Sequence, residues 1–440
     1  MPPIPSVRTW RSRPAGSARG AGPVWRTSRA GRLDRLVVFR WQGGGYVPAG
    51  ELTFEGAGEK RIGRFGYARS YLALDGARAI DPLGLPLVRR SFPGSPEELP
   101  LAFHDAGPDG WGKQVLQRAF PRTVLSMPEY LALGGMDRTG DLAFGPSPES
   151  GPQSWVPDEE PLVALPGVSD DLDALMAAAS SVDAGEGAKH HLALLFRKSG
   201  DVGGARPKAR IRHAGRQWIA KFPTTMDRFD DPRVEAACLD VAEAAGLPVP
   251  DRLIVEVGER AALLVERFDR ASGTGGRPFG YLSAATLLNQ PSTGYGTQRT
   301  YSDIAEAARR IGVRDAAEQA FERLLLNAFL HNTDDHLRNH GFLDRCGRWE
   351  FSPVFDVVPH PGMRRHVCAP ANGIGPAWDV EEAFRAHVPL KIGIADAGAI
   401  RDRIHAAASR LPEFMVARKV VKADREYLRD AFPKSIGFKP

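Results

Sequence analysis

Apolar residues come in short alternating runs over the first half of the chain and at helical spacing over much of the second. Leu36-Val37-Val38-Phe39-Arg40-Trp41 and Gly50-Glu51-Leu52-Thr53-Phe54 flank Gly43-Gly44-Gly45, the pattern of a β-hairpin. Further short strands are expected at 64–67, 71–74 and 83–87, then helices up to Leu133 and an extended segment over 137–144. Residues 145–166, rich in Pro, Ser and Glu, read as a linker. Helices are expected at 172–180 and 192–196, and strands at 208–211, 216–222, 252–256 and 261–268. Between them, Asp231-Pro232 starts a helix and Gly246-Leu247-Pro248 ends it, with Val234, Cys238, Val241 and Ala245 on the inner face. From about 280 the pattern turns helical, with helices at 282–288, 301–311 and 316–330 and more after Asp379. A Pro/Gly-rich stretch, 359–376, reads as a mobile loop. The expectation is α+β: a β-rich part followed by an α-rich part.

Composition changes this picture in several ways. A chain of 440 residues can bury a large core in two or three subdomains. Three widely spaced cysteines, Cys238, Cys346 and Cys368, form neither a disulfide framework nor a metal-ligand spacing, which points to the cytoplasm. No apolar run is long enough to span a membrane. The net charge of +5 is uneven: residues 1–40 hold nine Arg and one Asp, so the other 400 sum to −3. That argues against a core that binds nucleic acid directly. Residues 1–33, Arg-rich and poor in core-forming residues, read as a disordered, solvated tail or an early start codon, with a transit peptide or nucleic-acid arm as the alternative.

The chemistry gathers in 327–356. Asp334 lies five positions before Asn339, and Asp356 follows a hairpin-like insert at an expected strand end. Phosphoryl transfer needs a carboxylate to orient and deprotonate the attacking hydroxyl, and hard oxygen ligands for Mg²⁺. The run AFERLLLNAFL before the loop reads as a buried helix that fixes it. Upstream, Gly203-Gly204-Ala205-Arg206-Pro207-Lys208 is a turn whose backbone N–H groups could cradle phosphates. Gly-Gly turns are common, and its place before a strand pair gives it this reading. Lys221 stands inside an Ile/Ala/Phe strand, and a buried ammonium needs a partner. Glu235 either complements the helix dipole or pairs with Lys221; the order of the motifs favours the pair. His336 and His340, four apart, with His331, His360 and His366 elsewhere in the region, raise the alternative of a zinc hydrolase. Leu337 stands where that motif needs Glu, and the stretch reads as loop.

Asn332-Thr333-Asp334-Asp335-His336-Leu337-Arg338-Asn339 and Ser352-Pro353-Val354-Phe355-Asp356 resemble the catalytic and metal-binding segments of the HipA family. Those are serine/threonine protein kinases that act as toxins of toxin–antitoxin pairs. The Gly203–Lys208 turn resembles the family's GAxxK loop, and Glu266-Arg267-Phe268-Asp269-Arg270 stands as the family's hinge string. The resemblance implies a bilobal protein-kinase-like fold: an N-terminal subdomain over 34–150, a kinase N-lobe over 151–270 and an α-helical C-lobe over 271–440. It implies ATP and Mg²⁺ as cofactors, with Asp334 as base and Asn339 and Asp356 on the metal. Lys221 would pair the phosphates, His336 would lie near the nucleotide or else orient its own loop, and the hinge at Glu266 and Phe268 would meet the adenine through its backbone. The partners implied are a protein carrying Ser or Thr, an aminoacyl-tRNA synthetase in the best-known members, and a HipB-like helix-turn-helix antitoxin through which DNA is met indirectly. Where the family often carries a Ser that is autophosphorylated, this chain has Asp201, which puts that regulation in question. His104 and Asp105 suggest acid–base work less than a loop hydrogen bond. A kinase-fold enzyme acting on a small molecule and a non-catalytic binding protein remain as alternative classes.

Overall fold

A computed structural model describes residues 25–27, 31–56, 61–94, 98–157, 171–186, 189–199, 206–258, 260–272, 276–291 and 299–439. Most of the expected tail, much of the expected linker, and Asp201, Gly203, Gly204 and Ala205 lie outside these residues.

The first unit runs β1 (Arg35–Gln42), β2 (Gly45–Glu55), β3 (Ile62–Tyr67), α1 (Arg69–Leu72), β4 (Ser91–Pro93), α2 (Leu101–Asp105), α3 (Gly110–Ala119), α4 (Met127–Leu133) and β5 (Leu142–Gly145). Its strands form one sheet in the order β4-β3-β2-β1-β5. The hairpin is the expected one, with Gly43 and Gly44 at positive φ, where a side chain would be strained. Two expected strands are absent. Residues 71–74 begin in α1, because Tyr71 turns inward to stack on Tyr67 with ring centroids 5.9 Å apart. Residues 83–87 are turns around one Asp81–Leu85 bridge, since Pro82 and Pro86 withdraw ladder donors. The described part of the linker is anchored: Trp155 is buried and its N–H donates to the Ala132 carbonyl at 2.8 Å.

The second unit holds α5 (Leu172–Asp183), α6 (Lys189–Ser199), β6 (Lys208–His213), β7 (Arg216–Lys221), α7 (Asp231–Ala244), β8 (Arg252–Val257) and β9 (Arg260–Glu266). Its antiparallel sheet has the order β6-β7-β9-β8. Side chains alternate across the sheet. Trp218, Ala220 and Leu264 pack with Leu175, Ala179 and Leu195 of α5 and α6, while Leu263 and Val265 meet Ala236 of α7. The cap of α7 is Asp230, whose carboxylate accepts from Arg233 N–H; Asp231 is the first helical residue. Pro232 stands in the first turn, and Gly246 at φ +80° closes the end.

The third unit holds β10 (Gly280–Ser283), α8 (Ala284–Leu287), α9 (Tyr301–Arg310), α10 (Ala316–Phe329), β11 (Gly341–Arg345), β12 (Arg348–Phe351), α11 (Val380–Arg385), α12 (Ile394–Ala408), α13 (Leu411–Ala417) and α14 (Lys422–Leu428). The helix expected at 282–288 begins as strand β10, which pairs with β11 of the hairpin. Leu324, Leu325, Leu326 and Phe329 of α10 are buried, as the apolar run required. The stretch 359–376 is tied down: Val367 N–H donates to the Thr333 carbonyl at 3.0 Å and Tyr301 N–H to the Ala369 carbonyl at 3.1 Å. Among the described residues, no helix is long and apolar enough to cross a membrane.

Candidate active site

Strand β7 presents Lys221 to the face covered by α7. Its Nζ donates to Glu235 Oε1 at 2.6 Å and to Asp356 Oδ1 at 2.8 Å. The Asp356 backbone N–H donates to the same Glu235 oxygen at 3.2 Å. One carboxylate on α7 therefore holds both the lysine and the segment carrying Asp356. Asp356 does not end a strand: it sits five residues past β12 at φ +61°, a left-handed conformation that costs a β-carbon-bearing residue of order 1 kcal/mol. That turn aims its carboxylate at Lys221. Lys208 is the cross-strand partner of Lys221 and is likewise buried.

The charges sustain one another. Burial alone would lower the Lys221 pKa, but Asp356 and Glu235 hold it above the ordinary lysine value. Lys221, against the cost of burial and with help from Lys208, holds Asp356 well below the usual carboxylate range. Burial pushes Lys208 down, opposed by Asp356. The Asp356 side chain is 40% exposed, so an ionised oxygen donor opens on the cleft. With the amide of Asn339, this all-oxygen donor set suits a hard cation such as Mg²⁺.

The loop after α10 carries Asp334, His336 and Asn339. The 3₁₀ turn Leu337–Asn339 closes it, with Asn339 N–H donating to the His336 carbonyl at 2.8 Å and His336 N–H to the Asp334 carbonyl at 2.9 Å. The Asn339 side-chain amide lies 3.5 Å from that same carbonyl. Asp335 points the other way, into the core. It accepts from Tyr301 O–H and lies 3.0 Å from His340 Nε2, while Asn327 donates to Tyr301 Oη at 2.9 Å. With Asp335 engaged beneath the loop, Asp334 is the carboxylate left for the cleft. His340 is likewise taken by Asp335. No group of His, Cys, Asp and Glu able to hold a metal by itself occurs among the described residues, so the zinc arrangement has no counterpart there.

The remaining expected residues divide. Arg206 pairs with Asp227 and Asp231, each at 2.8 Å, so its guanidinium ties the segment entering β6 to α7. The Pro207 carbonyl accepts from Phe222 N–H. Glu266 is directly opposite Trp218, on the face of the sheet away from Lys221, and its carboxylate pairs with Arg216. Its backbone N–H donates to the Asp251 carbonyl at 2.8 Å. Phe268 packs on Phe355, ring centroids 5.3 Å apart.

Two family models match the sequence: the HipA N-terminal domain over residues 43–145 and the HipA-like C-terminal domain over residues 200–413. The chain belongs to the HipA family. HipA of the Shewanella oneidensis MR-1 toxin–antitoxin system, solved with HipB and its operator DNA, matches at a TM-score of 0.65 and 16% identity. The match covers 91% of this chain and 96% of that one. The Helicobacter pylori proinflammatory kinase CtkA overlaps 49% of this chain and 93% of its own at 12% identity and a TM-score of 0.34. No curated protein matches the sequence. The fold is thus the α+β fold of HipA, as the resemblance implied.

Within this HipA fold, several residues at the site had not been singled out. Phe355, stacked on Phe268, was legible as the apolar neighbour of Asp356. Arg338 was quoted in the motif but given no role; it donates to Asp109 of the N-terminal unit and lies 3.5 Å from Asp105. Arg267, Asp269 and Arg270 of the hinge string turn away from the cleft. Arg267 and Arg270 donate to the Arg138 carbonyl, and Asp269 accepts from Gly140 N–H at 2.9 Å. Those partners lie about 130 residues back in sequence, and no local pattern marks them.

Proposed function

We propose that this HipA protein is an ATP- and Mg²⁺-dependent serine/threonine protein kinase that acts as the toxin of a toxin–antitoxin pair. The observation that carries the reading is Lys221 shared between Glu235 and Asp356, with Asn339 and Asp334 on the loop opposite. Asp334 takes the proton of the attacking hydroxyl or orients it. Asn339 and Asp356 hold the cation, which when bound offsets charge on the transferring phosphoryl group. Lys221, held by Glu235, pairs the phosphates, and Lys208 adds positive charge beside them. Gly203, Gly204 and Ala205 would cover the triphosphate through their N–H groups, with Arg206 and Pro207 fixing the end of that turn. The hinge backbone at Glu266 and Phe268 would receive the base, and His336 would lie near the phosphates.

The S. oneidensis complex supports a HipB-like partner, with DNA reached through it. The test is γ-labelled ATP with cell lysate. Label on a protein band, lost in Asp334→Ala, is expected. Label confined to small metabolites would overturn the protein-kinase reading in favour of a small-molecule phosphotransferase.

A further inference from the structure

The N-terminal unit reaches the catalytic loop through a few buried charges. Asp105, at the end of α2, is buried, and both its oxygens are engaged. Oδ1 accepts from Ser283 Oγ at 2.9 Å and lies 3.5 Å from Arg338 Nη2. Oδ2 accepts from Ser283 N–H and from Thr286 Oγ1, each at 2.7 Å. Arg338 also donates to Asp109, the N-cap of α3, and toward the His104 carbonyl at 3.4 Å.

These contacts take hold of the trailing end of the loop, where it enters β11. Arg338 precedes Asn339 directly and sits in the same 3₁₀ turn. Ser283 is the strand partner of Gly341, and the next N–H, of Ala284, donates to the His340 carbonyl at 2.8 Å. Residues 338–341 are therefore held by two carboxylates of the N-terminal unit, Asp105 through Ser283 and, with Asp109, through Arg338. A side chain that aims a cation ligand and a base needs its own rotamer and backbone locked by surrounding groups. Phosphoryl transfer depends almost wholly on positioning and charge, so a small drift of this loop falls directly on rate.

We propose that Asp105 is a positioning residue for phosphoryl transfer, acting through Arg338 and Ser283 on the loop that carries Asp334 and Asn339. The inference rests on the kinase reading above for its consequence, but not for its geometry. The N-terminal unit is then part of the catalytic apparatus and not only a docking surface.

The test uses the full chain with Asp105→Asn. This variant keeps the volume but turns one acceptor into a donor facing Ser283 N–H and Thr286 O–H. Expected are a kcat at least about tenfold lower and a KM for ATP within about twofold of wild type, because positioning and not ground-state binding is lost. Amide exchange over 333–341 should quicken by about tenfold or more while β1–β3 exchange as before. Asp105→Glu, which restores the charge, should recover part of the rate. Arg338→Gln carries the same test from the loop side where Asp105→Asn does not fold. A folded variant with wild-type kcat and wild-type loop exchange overturns the proposal. So does faster exchange spread evenly over the N-terminal unit, which marks a purely structural role. If the wild-type protein transfers no phosphate, the kinase reading falls, and loop exchange alone still decides whether Asp105 orders the loop.

Discussion

Glu235→Gln tests the link between the two lobes. Glu235 is 3% exposed and is a hydrogen-bond acceptor for both the Lys221 ammonium and the Asp356 N–H. Removing one partner of a buried ion pair typically costs about 3–5 kcal/mol, because an uncompensated charge stays behind. Here the cost is smaller. Asp356 still lies 2.8 Å from the ammonium, and the glutamine carbonyl can still accept both hydrogen bonds. What is lost is one of two charges on Lys221, so roughly 1–2 kcal/mol is expected. For a cooperative unit of about 200 residues that lowers Tm by roughly 2–8 °C. Calorimetry of wild type, Glu235→Gln, Lys221→Met and the double variant supplies the coupling directly, expected at about 1 kcal/mol or more for groups in contact. With Mg²⁺ and ATP present the gap should widen, because the variant also holds the nucleotide less well. Additivity within about 0.3–0.5 kcal/mol, with unchanged nucleotide affinity, would refute the pair as the organising contact of the site.

Two further outcomes are expected. His366 is buried with its ring stacked on Trp378 at 3.7 Å, and burial beside His331 pushes its pKa down to about 4. The folded value lies below the ordinary 6.5, so its contribution is complete above pH 6.5 and is lost as pH falls toward 4, by up to about 2 kcal/mol at pH 5. Burial pushes Asp81 and Asp231 up to about 6 and about 7, which acts in the opposite sense. The check is therefore a difference: His366→Phe keeps the stack and should narrow the fall in stability between pH 7 and pH 5, and an unchanged slope would contradict it. Asp344→Ala takes from the buried Arg40 one of its two carboxylates, 2.6 Å away, and leaves Asp141 at 2.9 Å, so a cost of roughly 1–3 kcal/mol is expected in denaturant titrations. A loss under about 1 kcal/mol would mean that Asp141 alone suffices.

Much of this was legible because the signals were local. The Gly turn between apolar runs gives the hairpin of β1 and β2, and the Pro232-to-Gly246 bracket gives α7. Lys221 in an apolar strand demands a carboxylate, and the next helix supplies one. The misses have local causes too. Tyr71 favours strands by residue type, yet stacking on Tyr67 puts it in a helical turn. Asp356 follows β12 closely, but a left-handed residue off the strand does the aiming. Glu266 stood in the right string, and only the register opposite Trp218 reveals that its carboxylate faces away. The roles of Asp105, Asp109 and Asp137 were out of reach, because each is fixed by a partner more than a hundred residues away.

Those distant partners share a logic. Among the described residues, charged side chains join the N-terminal unit to the rest of the chain at several points, three of them near the candidate site. Arg40 and Arg78 converge on Asp141 and on Asp344 of β11. Asp137 and the carbonyls of Arg138 and Gly140 take the arginines of the hinge. Asp105 and Asp109 take Arg338 of the loop between Asp334 and Asn339. Buried ion pairs add little net stability over apolar packing of the same shape, since desolvation offsets most of the attraction. What they add is direction: a guanidinium bonded to fixed oxygens cannot slide as two apolar faces can. The three points fall on the hairpin between Asn339 and Asp356, on the hinge between the lobes, and on the loop with Asp334. Apolar contact would have sufficed to attach the unit, so the placement of these charges is better explained by a need to hold those three elements in register with one another.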